Sequence, residues 1–300
     1  MQVIFTVTIG RSGSSFLASA FSRFGKDCMA EHEPPNLLFH RLHQYRFFNQ
    51  LGWFSPDRQY TKLGREWQRR TIATHEQMGR GRALEWFDQG EHDKIAELIA
   101  KRTARIRGFE RRGYRHYVEA SQYFIQSFAE ATAQVMPDFG LIKLTRDPLE
   151  CARSLANREK DIFANKLPPD RPSNLFRIGD WQGFSRFQLY CWHWIECEAR
   201  FFDLVARHNI SRTFVIWTHE LQDPDKLAEM FDCFGIAHRP FDDLAPVNTN
   251  RKPTKVSDDD IREFAEVVAL VPDDLADRIP TLAAYRQSAD YSAPSAAGSR

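Results

Sequence analysis

Several things are missing from this sequence, and each absence removes a class of protein. No apolar run approaches the roughly 20 residues that a bilayer-spanning helix needs. The first apolar run begins within a few residues of Met1, so no targeting leader is expected ahead of it. Cysteine is sparse and odd in number: Cys28, Cys151, Cys191, Cys197 and Cys233, with no C-x-x-C spacing. Reduced thiols in a cytoplasmic protein are expected rather than a disulfide framework. Neither sign of charge dominates: 41 Lys and Arg face 40 Asp and Glu, a formal net charge of +1. That balance argues against a whole-molecule nucleic-acid binder, although charge can still gather locally. H-E-x-x-H and similar ligand spacings are absent, so no metal is expected. The G-x-x-x-x-G-K-[ST] signature is absent too, and with it the lysine that holds the β- and γ-phosphates of a nucleoside triphosphate. No internal repeat is present.

What is present begins at once. Val3 to Ile9 is apolar and β-branched and reads as a buried strand. Gly10-Arg11-Ser12-Gly13 breaks the pattern, and Ser14 and Ser15 lead into Phe16, Leu17, Ala20, Phe21 and Phe24, which share one helix face, with Gly25 at the C-cap. Strand, glycine loop and helix N-terminus together make a concavity of backbone N–H groups suited to a phosphate-like anion. Ser14 and Ser15 can add hydroxyls, and Arg11 a permanent two-pronged charge.

The rest of the chain alternates. Short strands are expected at Asp27–Glu31, His116–Glu119, Phe139–Thr145 and Arg212–Trp217, with helices after Pro148, across the aromatic stretch Phe184 to Phe202, from Pro224, and from a Ser257 cap. Hydrophobic residues make up 42% and aromatics 13% of 300 residues, enough for one large domain or two modest ones. The pattern predicts an α/β fold: a P-loop-like, doubly wound parallel sheet of about five strands flanked by helices. A helical insertion, residues 37–112, follows strand two. The organisation expected is a single domain over 1–286 and a flexible tail over 287–300. Residues 157–183 read as a loop or lid. The basic stretch Lys101 to Arg115 is either a solvated helix face or a patch for an anionic substrate.

In such a sheet ligands gather at the carboxyl ends of the strands, where Arg11, Glu33, Ser121 and Arg146 should converge. Arg146 leaves strand four, and Ser154 follows about two turns into the next helix. Together they can pin a second phosphate, which suggests a ligand with phosphate-type groups at both ends of a nucleoside.

At this point the chain resembles a known family, the sulfotransferases that use 3′-phosphoadenosine 5′-phosphosulfate (PAPS). Gly10-Arg-Ser-Gly-Ser-Ser-Phe-Leu17 resembles their 5′-phosphosulfate loop, and Leu144-Thr-Arg146-Asp-Pro148 through Ser154 their 3′-phosphate motif. The Trp194–Arg200 helix, the Phe214–Leu221 strand, Asp223-Pro224 and Phe234-Gly235-Ile236 are similar too, so the resemblance covers about residues 2–255 outside the insertion. Arg-Ser-Gly-Ser-Ser-Phe-Leu followed by Glu33-Pro34 is most similar to the carbohydrate sulfotransferases. The cytosolic aryl and steroid enzymes carry Lys at the position of Arg11 and a His after the third strand, where this chain has Glu119 and Ser121. Their glycine-rich C-terminal nucleotide loop is also missing, with Arg251 and Lys252 in its place.

The resemblance implies transfer of a sulfuryl group from PAPS, leaving 3′-phosphoadenosine 5′-phosphate (PAP), to an acceptor hydroxyl on a carbohydrate, glycoconjugate or other small molecule. It implies that Gly10, Arg11, Ser12, Gly13, Ser14 and Ser15 hold the 5′ end, and that Arg146 and Ser154, with Arg251 and Lys252, hold the nucleotide. Glu33 is the expected base and His32 its competitor, since neighbours on an extended strand face opposite ways. Two other classes stay open: a P-loop-type nucleotide kinase, and a non-catalytic anion- or glycan-binding protein on the same scaffold.

Overall fold

The structure is a computed structural model that describes residues 1–32, 82–136, 138–157, 168–242, 244 and 255–287. Its first unit is β1 (Gln2–Val7), α1 (Ser14–Phe24) and β2 (Cys28–His32). Then come α2 (Arg82–Asp88), α3 (His92–Glu110) and β3 (His116–Ala120), followed by a π-helical turn (Phe124–Phe128) that runs into α4 (Ala129–Val135). β4 (Phe139–Thr145), α5 (Pro148–Ala156), α6 (Arg186–His208) and β5 (Thr213–Trp217) complete the sheet. A 3₁₀ turn (Thr218–Gln222), α7 (Pro224–Cys233), α8 (Asp258–Ala269), α9 (Asp273–Ala276) and α10 (Pro280–Gln287) end the described chain.

The five strands form one parallel sheet, as the alternating pattern predicts, and their order is β2-β3-β1-β4-β5. β1 lies between β3 and β4, with Val3 opposite Tyr117 on one side and Phe139 on the other. Being central, it is buried on both faces, which is why it reads as a continuous apolar run rather than an alternating one. Val3, Phe5 and Val7 pack with α3, the π-helical turn and α6; Ile4 packs on the other face with Leu17 and Phe21 of α1 and Met230 and Phe231 of α7. A third core fills the space between α5, α6 and the C-terminal helices α8–α10.

Two strand boundaries depart from expectation. β1 ends at Val7, not Ile9, because Ile9 leaves the sheet to pack with Leu149 and Leu155 in the third core. β2 runs one residue later than expected because Asp27 is left-handed at φ 52° and its carbonyl accepts from the Arg115 and His116 amides, ending the turn there. Helix α3 extends through most of the basic stretch. Ile95, Leu98, Ile99, Arg102, Ile106 and Phe109 form its buried stripe, so one arginine sits among the apolar residues. In the part of residues 37–112 that is described, the chain is helical; 33–81 and the loop residues 158–167 lie outside the described residues. The aromatic helix α6 buries Phe187, Cys191, Trp194 and Ile195 as core.

Candidate functional site

The topology itself makes a crevice. From β1 the chain travels by α1 to β2 on one side of the sheet, and from β4 it travels by α5 and α6 to β5 on the other. The connections diverge between the neighbouring ends of β1 and β4, the place where open parallel sheets take ligands. Gly10–Gly13 stand above β1, and Arg146 and Asp147 above β4.

Above β1 every carbonyl from Ile9 to Gly13 has a donor. The Ile9 oxygen accepts from the Ser12 hydroxyl at 2.8 Å and the Thr8 hydroxyl at 3.0 Å. The Gly10 oxygen accepts from the Cys151 thiol at 3.5 Å, and the Arg11 oxygen from Arg146 Nη1 at 3.3 Å. The Ser12 oxygen accepts from the Thr218 hydroxyl at 2.9 Å, and the Gly13 oxygen from the Leu17 amide at 3.0 Å. The amides behave oppositely. The Ser12 N–H turns back toward the Ile9 carbonyl in the turn at Gly10–Arg11, and among the described residues no acceptor stands against the N–H groups of Gly13, Ser14 or Ser15. Because C=O and N–H of a trans peptide point opposite ways, carbonyls tied outward leave their amides facing the crevice. The left-handed residues Arg11 (φ 76°) and Gly13 (φ 93°) curl the loop into such a nest. Behind it stands the N-terminus of α1, whose cap residue Gly13 contributes no side chain.

Cys151 can serve this arrangement only as a neutral thiol. Burial pushes its pKa up to about 12, so it keeps its proton and donates.

Above β4, Asp147 caps α5 by accepting from the Glu150 amide at 2.9 Å, with Pro148 in the first turn. Tyr285 of α10 donates its hydroxyl to the other Asp147 oxygen at 2.5 Å, tying the C-terminal helices to this turn. The Arg146 guanidinium lies between the two loops. Besides the Arg11 carbonyl, it reaches Glu150 through Nε at 3.1 Å and Nη2 at 2.9 Å. Its own carbonyl accepts from the Trp194 indole at 3.1 Å. Ser154 is buried on α5 and accepts from Arg11 Nε at 3.4 Å. The Arg11 side chain thus reaches toward the Arg146–Ser154 end of the crevice, not only over its own loop.

His32 ends β2 with Nε2 at 3.1 Å from the Ser14 hydroxyl, against the first residue of α1. Its neighbour Glu31 faces the other way, into a buried cluster where Nη1 and Nη2 of Arg105 and the Tyr117 hydroxyl (2.8 Å) donate to its carboxylate. Ser121 accepts from the Tyr123 amide at 3.2 Å; the residue that approaches the loop from this side is Gln122, packed against Gly10. Ser15 is the second residue of α1 and partly exposed. Glu33, Arg251 and Lys252 lie outside the described residues.

The basic stretch divides. Arg102 pairs with Glu119 inside the protein, and the partly buried Arg105 reaches in to the buried Glu31, while Arg107, Arg111 and Arg112 are exposed. It is therefore neither one solvated face nor one open anion patch. Among the described residues no group of three or more His, Cys, Asp or Glu is placed to hold a metal, and no helix is long and apolar enough to cross a membrane.

Residue patterns left four participants unseen: Thr218, Cys151, Trp194 and Glu150. Glu150 pairs with Arg146 four residues before it, whereas Thr218, Cys151 and Trp194 reach the two loops from elsewhere in the fold, and only Thr218, directly after a predicted strand, carried a positional hint.

No protein-family model matches this chain, and no curated protein matches it. Among solved structures it is similar to the crystal structure of a sulfotransferase from Alicyclobacillus acidocaldarius, at 17% identity over 96% of this chain and 99% of that chain, with a TM-score of 0.46.

Proposed function

We propose that this chain is a sulfotransferase that moves a sulfuryl group from PAPS to a hydroxyl of a carbohydrate or glycoconjugate acceptor. The observation that carries the reading is the loop above β1, with carbonyls occupied and amides open, joined through Arg146 to a second cationic and hydroxyl-bearing anchor. One anion receptor beside another suits a nucleotide bearing charge at both its 5′ and 3′ positions. No lysine stands where a triphosphate loop would need one.

In the proposed reaction the bond between the sulfuryl sulfur and the 5′-phosphate oxygen breaks while a bond from sulfur to the acceptor oxygen forms in line. The open amides of Gly13, Ser14 and Ser15 would stabilise the charge arriving on the leaving phosphate, aided by the α1 N-terminus. Arg146 and Ser154 would hold the 3′-phosphate. Glu33 would take the acceptor proton, as the resemblance to the carbohydrate enzymes implies. His32, against Ser14, is the second group able to do so. Arg251 and Lys252 would stand in for the missing glycine-rich nucleotide loop, as the resemblance implies.

Calorimetric titration tests the donor assignment. PAP should bind more tightly than adenosine 5′-phosphate or ATP–Mg²⁺, and Arg146→Ala should weaken PAP by at least about tenfold. Preference for ATP–Mg²⁺ would point to a kinase, and no nucleotide binding to a glycan- or anion-binding protein; either result overturns the proposal. With PAPS and an acceptor in hand, Glu33→Gln and His32→Gln then identify the base by which one abolishes turnover while leaving PAP affinity intact.

A further inference from the structure

We infer that Thr218 is a positioning residue of the anion loop: its hydroxyl determines that the Gly13 amide faces the crevice. This rests on the reading of that loop as the 5′ anchor of the donor.

Thr218 opens the 3₁₀ turn after β5, far from the loop in sequence. Its hydroxyl lies 2.9 Å from the Ser12 carbonyl oxygen and 3.0 Å from the Thr145 carbonyl oxygen at the end of β4. The one O–H proton is shared between the two carbonyls, so this side chain bridges the β1 loop and the end of β4 from the turn after β5. The Ser12 carbonyl and the Gly13 N–H belong to the same peptide plane and point opposite ways. Holding the oxygen outward therefore aims that N–H inward.

The backbone alone does not impose this choice. Gly13 sits at φ 93°, and glycine adopts either sign of φ at little cost, so the peptide plane before it can turn over. The neighbouring planes have their own tethers: Arg146 holds the Arg11 carbonyl and Cys151 the Gly10 carbonyl. For the plane between Ser12 and Gly13 the tether is Thr218. The surroundings keep that hydroxyl in place. Leu221 of the same turn is buried against Gly13, and the Trp217 amide donates to Glu220 at 2.7 Å, fixing the start of the turn.

A threonine in this role acts on one end of the ligand only, and that makes it separable from general stability. The test compares wild type, T218V and T218S by calorimetric titration with PAP and with adenosine 3′-phosphate, which lacks the 5′ group. T218V keeps the shape and loses the donor, and should weaken PAP about tenfold while leaving adenosine 3′-phosphate within twofold. T218S restores the hydroxyl and should return PAP to within about threefold of wild type. PAP binding unchanged in T218V would overturn the inference while leaving the donor reading intact. Equal weakening of both ligands would also overturn it, since the hydroxyl would then be supporting the whole crevice. A wild-type protein that binds neither nucleotide would overturn both this inference and the donor reading.

Discussion

Gly10 and Gly13 belong to the same loop but should tolerate an added methyl group differently. At Gly10 a Cβ would meet Gln122 Oε1 at 2.5 Å, the far end of a flexible side chain that can swing aside. At Gly13 a Cβ would lie 2.5 Å from the buried Leu221 Cδ1, and the backbone is left-handed at φ 93°. Gly13→Ala should therefore cost about 2 kcal/mol or more from strain and overlap, and Gly10→Ala about 1 kcal/mol or less. Urea unfolding midpoints of the two variants check the order. The sequence displayed both glycines as loop formers. It did not show which one is irreplaceable, because that depends on a leucine brought in from the far side of β5.

At the scale of elements, the join between α3 and the sheet is ionic inside an otherwise apolar layer. Arg102 faces Glu119, and Arg105 faces Glu31 across the adjacent strand, where Glu31 and Glu119 are register partners. Burial penalises the charged guanidinium of Arg102, but Glu119 and neighbouring Tyr117 outweigh it, and the net pKa shift is upward. Glu119 is fully buried, so Arg102→Leu should cost about 3–5 kcal/mol by leaving that carboxylate uncompensated. Arg102→Leu with Glu119→Leu should recover most of the loss, because an apolar pair of similar volume avoids the desolvation penalty. A double-variant cycle in urea measures the coupling; additive losses would show that the two side chains act separately. The helical period of α3 was legible from Ile95, Leu98 and Ile99. The turning of two arginines inward was not, since composition alone presents Lys101 to Arg115 as a surface run.

For the molecule as a whole, none of the five cysteines is paired in a disulfide; four are buried and Cys233 is exposed. Burial raises the pKa of Cys28 to about 12, as it does that of Cys151, so both remain thiols at pH 8. Partial burial pushes the exposed Cys233 thiol up as well, so iodoacetamide at pH 8 should label Cys233 more slowly than a free thiol in the folded protein and the other four only after unfolding, a pattern that mass spectrometry resolves. Donor binding should also register globally. PAP at a hundred times its dissociation constant should add about 2.7 kcal/mol of stability, seen as a raised unfolding midpoint; a tenfold weaker Arg146→Ala variant at the same PAP concentration should gain only about 1.4 kcal/mol.

The sequence by itself determined the kinds and order of the elements. Hydrophobic period, glycine breaks and caps such as Asp147, Asp223 and Ser257 are local properties, and they placed all five strands within a few residues of where they lie. Local chemistry also marked Gly10 to Ser15 and Arg146 with Ser154 as anion-seeking groups. The tertiary structure decided the strand order, and hence that β1 and β4 are neighbours whose loops share a crevice. It decided as well the direction of the loop's peptide planes, because a carbonyl turns outward only when a donor is there to receive it. Those donors, Cys151, Arg146 and Thr218, come from α5, the end of β4 and the turn after β5. Their meeting depends on long-range packing that no local sequence pattern encodes.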